Sequence, residues 1–371
     1  MKDFYSFDEF SIPTWVKVLF WSLYMVIFIY AVWKTLYFAP KDKRNVSVSS
    51  LFMVLYFTAY TVFYCVNPDY FSYRNWSHNL FLMDWHKEQV YAHLMLFCRA
   101  RLFVYPYEVF RLIVWGGGVL IVYLTAKLYR SLLMPGLVLM LLFVFYSGGF
   151  CYARASLAMA VYFMGIGIYL WKDNSFVKML GIGLAICSYF FHNELIIGIV
   201  MLPGILFPFE KKQSIFFSLM ILAIIITVFS YISSDPMFLE RVFGSEELAE
   251  RMEQYSNQEQ GVFRRSTFVK YANYFYPFFL ITKIFYRYKK QPKPITAIYR
   301  ITFALLMATV AFMVVAGLRS TYTYRVMYIT MIPISIMITY YYNNGFLKKY
   351  QLVIMFLLAV LTNSIRLINA T

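Results

Sequence analysis

Four short clusters hold the residues whose types and spacing can do chemistry. The first is Asn67-Pro68-Asp69-Tyr70-Phe71-Ser72-Tyr73-Arg74. Asp69 can take a proton from a sugar hydroxyl, and Tyr70, Tyr73 and Trp76 can stack on sugar rings. An Asp-initiated turn with interfacial aromatic anchors accounts for the same residues without chemistry. The second cluster is Tyr152-Ala153-Arg154-Ala155-Ser156-Leu157-Ala158, which opens an apolar run. A helix dipole opposes an arginine at its N-terminus, so Arg154 makes sense there if an anion joins it. A snorkelling anchor is the plainer alternative. Phe191-His192-Asn193-Glu194 forms the third cluster, in which His192 and Glu194 can orient a substrate or move a proton. The fourth is Arg319 and Arg325 flanking a turn, with Tyr322 and Tyr324 between them. Two guanidinium forks can clamp a diphosphate. Arg264 and Arg265 are candidates to join them from another segment.

Other chemistries are disfavoured. The chain has no P-loop, no GxSxG, no HExxH and no Rossmann glycine pattern. The His192-Asn193-Glu194 spacing alone makes no metal site, no DDxD-like acid cluster is present, and no metal or other cofactor is expected. Cys65, Cys98, Cys151 and Cys187 have no CxxC spacing and read as small packing residues.

These clusters must be held by membrane-spanning helices. Of the 371 residues, 61% are hydrophobic and only 14% charged. A soluble domain is nearer half apolar and a quarter charged, so one water-facing globule could not bury this much apolar surface. A spanning helix needs about 20 apolar residues. The apolar runs are 15–38, 46–66, 107–129, 132–147, 154–171, 175–191, 195–208, 213–233, 266–287, 295–317, 325–342 and 350–369. The expected architecture is one all-α domain over residues 1–371, a polytopic bundle of about twelve spans. The first run follows Asp3, Asp8 and Glu9, lacks a small-residue cleavage site and reads as a span.

Laying the runs alternately across a membrane sorts the charges. One side takes Lys34, Lys41, Lys43, Arg44, Lys127, Arg130 and the basic residues of the later loops, against only Asp42, Asp173 and Glu210. Nearly all of the net charge of +16 falls there. Short basic loops mark the cytoplasmic side, which leaves both termini outside. Lysine dominates the cytoplasmic side and arginine the outer side, where all four histidines also lie. Arginine binds phosphate or carboxylate bidentately, whereas lysine serves as a solvated anchor. The basic excess faces anionic lipid and calls for no nucleic-acid partner.

Two outer segments, 67–105 and 234–265, are long enough to do more than connect. In the first, Glu88 to Phe103 places Val90, Leu94, Phe97 and Arg101 on one helical face, with His93 and Ala100 away from it. This suits an interfacial helix. In the second, Ser245 is a plausible N-cap for a charged helix to Tyr255, which could cover a cavity or merely connect two spans. Pro106 sits where a helix tolerates proline, and Gly116-Gly117-Gly118 reads as close helix packing.

The layout resembles the EpsG family of polysaccharide-assembly membrane proteins, related to Wzy-like O-antigen and capsule polymerases. Asp69 with Tyr73 after an early span, Arg154 with Leu157-Ala158 opening a middle one, and Phe191-His192 ending the next carry the resemblance. It implies a glycosyltransferase C-like fold in the bacterial plasma membrane, with the active site facing the periplasm or exterior. It also implies undecaprenyl-diphosphate-linked oligosaccharides as substrates, with membrane lipids and a chain-length regulator as candidate partners. On that reading Arg154, Arg319 and Arg325 meet the diphosphate, and Asp69, then His192, is the candidate base. The alternatives are an O-antigen ligase or other outer-facing glycosyltransferase or acyltransferase, and a flippase or transporter. Transport is disfavoured because the span interiors carry almost no charge and the polar clusters lie on one side.

Overall fold

The computed structural model describes residues 14–37, 55, 89–101, 106–128, 153–192, 195–203, 265–288, 290–315 and 321–370. Among them there are helices and turns and no strand. The helices are α1 (Thr14–Tyr37), α2 (Gln89–Arg101), α3 (Pro106–Arg111), α4 (Gly117–Leu128), α5 (Ala153–Trp171), α6 (Ser175–Cys187), α7 (Ile196–Met201), α8 (Arg265–Arg287), α9 (Lys293–Val315), α10 (Thr321–Asn343) and α11 (Lys349–Ala370). A π-helical turn, Leu112–Gly116, joins α3 to α4, and a 3-10 turn, Ser188–Phe190, extends α6.

Local chemistry explains several boundaries. Pro106 opens α3, where its missing N–H costs nothing. Asn174 caps α6, its side chain accepting from the N–H groups of Phe176 at 2.9 Å and Val177 at 3.2 Å. Gly345, at φ 73°, ends α10: Phe346 N–H donates to Tyr341 C=O at 2.9 Å and Gly345 N–H to Tyr342 C=O at 3.1 Å. That is a Schellman turn, and it needs the left-handed residue glycine supplies.

The expected runs 15–38, 107–129, 154–171, 175–191, 266–287, 295–317 and 350–369 match helices closely. One boundary needs correction. Helix α10 begins at Thr321, so Tyr322, Tyr324 and Arg325 lie on the helix and not in a turn before it. The runs 132–147 and 213–233, nearly all of 46–66, and the expected charged helix from Ser245 to Tyr255 lie outside the described residues.

The main core packs α8, α9, α10 and α11 together with α5. Phe285 stacks on Tyr299 with ring centroids 3.7 Å apart, and Phe278 meets Phe303 at 6.3 Å. The falling partner number shows that α8 and α9 run antiparallel. Several hydroxyls in this core turn back to their own helix. Thr302 donates to Ile298 C=O, Ser335 to Met331 C=O and Thr339 to Ser335 C=O, each at 2.7 Å. Thr309 donates to Leu305 C=O at 2.9 Å, so its hydroxyl accepts from Tyr274, 3.3 Å away.

By length and composition, α9 over Lys293–Ala311 is apolar enough to cross a membrane. With 23 residues it reaches about 34 Å, against a hydrocarbon core of about 30 Å. Large apolar side chains face outward from α1 (Trp15, Val26), α6 (Phe176, Met179) and α11 (Leu357), as lipid-facing helices require. Basic residues cluster at the α5–α6, α8–α9 and α10–α11 connections (Lys172, Lys290, Lys348), as the charge sorting anticipates.

Helices α5 and α6 form the closest pair. A Cβ on Gly165 would stand 2.5 Å from Gly181 O and 2.7 Å from Ala185 N, and one on Gly181 would stand 2.7 Å from Gly165 O. The two backbones touch. Within the glycine triad, Gly118 is buried, whereas a Cβ on Gly117 would meet nothing within 4 Å. The close approach falls to Gly165 and Gly181 because they face one another across an antiparallel hairpin.

Gly181→Ala must push backbones apart. We expect it to destabilise the detergent-solubilised protein by about 1–3 kcal/mol. Gly183→Ala, which meets nothing within 4 Å, should be neutral or stabilising by up to about 1 kcal/mol. Equal thermal midpoints for the two variants would rule out the backbone contact.

Candidate functional site

Arg154 is the second residue of α5, directly after Ala153. Because α5 and α6 are antiparallel, the start of α5 and the end of α6 share one end of the bundle. The 3-10 turn carries the chain from α6 to Phe191 and His192. His192 is half-buried. Its N–H donates to Ser188 C=O at 3.2 Å, and its C=O accepts from Leu195 N–H at 3.0 Å. The buried Ser188 hydroxyl donates to Ala185 C=O at 2.7 Å. The His192 backbone is therefore fixed from both sides.

An aromatic cluster anchors this corner. Phe191 meets Tyr91 of α2 edge-on at 6.2 Å, and Tyr91 meets Phe110 of α3 edge-on at 6.3 Å. Each such pair contributes about 0.5–1.5 kcal/mol beyond burial. Leu157, one turn after Arg154, is buried in the same cluster with Val161 and Met95. The residues that open α5 and those that end α6 thus share one packed support.

Helix α2 packs on the protein through a face other than the expected interfacial one. Its buried side is Tyr91, Ala92, Met95 and Cys98, whereas Phe97 is 53% exposed. Both sides of this helix are apolar, and the one that meets α3 and α5 is the buried one. His93 is exposed, as expected. Burial pushes the Cys98 thiol up from its ordinary value, which keeps it protonated and inert. Cys98 behaves as a packing residue, but Cys187 is exposed.

Tyr162 of α5 braces the chain on the far side of the His192 corner. Its hydroxyl donates to Gly198 C=O in α7 at 2.6 Å. That carbonyl lacks the usual helical donor, because Leu202 N–H donates to Ile199 C=O instead. A Cβ at position 198 would sit 3.0 Å from the Tyr162 ring, so glycine allows the approach.

Not every expected residue is brought to this corner. Arg265 opens α8, and Tyr324 and Arg325 lie in the first two turns of α10, which packs on α5. Asp69, Tyr70, Tyr73, Glu194, Arg264 and Arg319 lie outside the described residues. One charged residue was missed by the sequence reading, which took the span interiors as nearly uncharged. Arg111, only 5% exposed, lies inside the third run. The available signal was its spacing: Tyr107, Phe110, Arg111 and Val114 form one helical stripe, and all four are buried.

Tyr162→Phe keeps the ring but strands the Gly198 carbonyl. It should cost about 1–3 kcal/mol, read as a lowered unfolding midpoint. A midpoint equal to that of the wild type would show that another donor serves Gly198.

Comparison with known proteins agrees with the layout. The EpsG family matches residues 48–370, which include the Asp69, Arg154 and His192 clusters. No curated protein and no solved structure matches the chain. The all-helical architecture and this match over nearly the whole sequence lead to one conclusion: the chain belongs to the EpsG family, membrane proteins of polysaccharide biosynthesis.

Proposed function

We infer that the protein is a membrane polysaccharide polymerase working at the outer face of the bacterial plasma membrane. The observation that carries this reading is the shared corner: the start of α5, with Arg154, and the fixed turn at His192 rest on one aromatic cluster. An anion-binding position and a proton-handling group then sit at the same end of one helical hairpin.

In the proposed reaction, a hydroxyl at the non-reducing end of one lipid-linked repeat attacks the anomeric carbon of a second lipid-linked chain. A new C–O glycosidic bond forms, and the bond from that carbon to the diphosphate oxygen breaks. Undecaprenyl diphosphate leaves with the electron pair, and the hydroxyl proton passes to the base. Negative charge grows on the leaving diphosphate. Arg154, Arg319 and Arg325 are proposed to meet it, where preorganised donors lower the barrier most. Arg264, Arg265 and Tyr324 are proposed to extend the same anionic surface. Asp69 is the proposed base, with His192 second, and Tyr70, Tyr73 and Glu194 hold sugars. The sugar–diphosphate bond supplies the driving force, so the step needs no nucleotide.

Arg154→Ala should lower polymer yield by about 10²–10³-fold and leave single lipid-linked repeats accumulated at the outer face. Lipid-linked sugars and polymer from complemented deletion cells measure this. Normal polymer length and yield would sink the assignment, and repeats held on the cytoplasmic face would favour transport. Asp69→Asn should slow polymerisation by about 10²-fold or more if Asp69 is the base. A near-normal rate, with His192→Gln inactive, would transfer that role to His192.

A further inference from the structure

Arg111 is a charged residue buried on a stripe otherwise made of Tyr107, Phe110 and Val114. An apolar side chain would pack there at lower cost than a guanidinium, which must be desolvated. Ionisable groups held at membrane depth mark ligand or ion sites by default.

Two further observations point to where it acts. The Arg111 guanidinium carbon lies 5.9 Å from the centroid of the Tyr107 ring. Tyr107 is one turn nearer the start of α3, so the side chain reaches back towards the outer end of the helix. Arg111 is five residues from that start, a depth of about 7–8 Å. The neighbouring stripe residues Tyr107 and Phe110 pack in one cluster with Leu157, itself one turn below Arg154. The π-helical turn begins at the next residue, Leu112, and such turns recur at functional positions.

We propose that Arg111 is a second cation of the lipid-diphosphate site, set about one helical turn deeper than the Arg154 position. It binds the phosphate nearer the lipid while the outer arginines meet the phosphate nearer the sugar. This inference rests on the polymerase reading above. It makes the site reach into the membrane boundary, where a polyprenyl chain leaves its headgroup.

The test is direct binding of farnesyl diphosphate to the full-length protein in nanodiscs of zwitterionic lipid. Wild type, Arg111→Gln and Arg111→Lys are compared, each checked for folding by its thermal midpoint. Arg111→Gln should weaken binding by about tenfold to a hundredfold. Should that variant fail to fold, a folded Arg111→Lys must still bind more weakly than wild type, because an ammonium lacks the planar fork. Wild-type affinity in a folded variant overturns this inference alone. Displacement of the probe by equimolar phosphatidylglycerol also overturns it, since Arg111 would then be a headgroup anchor. A wild-type protein that leaves farnesyl diphosphate unbound overturns the polymerase reading and this inference together.

Discussion

The contact between the backbones of α5 and α6 is the constraint on which the described corner depends. Lipid tails are as apolar as leucine, so helices in a membrane gain little from hiding apolar surface and must gain from close packing. Gly165 and Gly181 permit an approach that no side chain would allow. Once the hairpin is closed, the 3-10 turn can begin only where α6 ends, and Phe191 reaches Tyr91. Helix α4 packs on the same α5, and so does α10. Widening the hairpin would move the His192 turn relative to the start of α5, although neither contains a residue of the contact.

Polar groups show the same economy. Hydroxyls of Thr302, Ser335 and Thr339 turn back to their own helices, so they cost little at membrane depth but bind nothing between helices. Bonds between helices are concentrated where position matters: Tyr274 to Thr309 in the main core, Tyr162 to Gly198 beside the His192 corner, and Tyr342 to Thr35 C=O at 3.4 Å against α1. Pro277 within α8 and Pro333 within α10 each remove a backbone donor. The Oδ1 of Asn273, four residues before Pro277, is buried without a hydrogen-bond partner.

Much of the helix layout was legible in the sequence because long apolar runs and their capping residues are local signals. Pro106 opening α3 and Arg154 at the second position of α5 follow from such signals. The α5–α6 contact was legible too, had the small-xxx-small spacing of Gly181 and Ala185 been weighed above the more conspicuous Gly116-Gly117-Gly118. The face of α2 was not legible: with apolar residues on both sides, only its neighbours decide between Tyr91 and Phe97. Helix α10 starts before the apolar run because Thr321 to Arg325 is too polar to score as apolar. Arg111 is not legible in the sorting of charge by loop, because a single charge on an otherwise apolar stripe changes no such count.

The π-helical turn from Leu112 to Gly116 has one more consequence. A residue added to a helix rotates everything beyond it by about 100°. The wide turn absorbs that rotation within a single rod, so the segments before and after it are out of phase. Tyr107, Phe110 and Val114 can therefore serve the small cluster with α2, while Val122 and Tyr123 further along serve the main core. One continuous helix addresses two cores in different directions. Losing a single residue there would bring the two halves back into phase and swing one of those faces away from its partner.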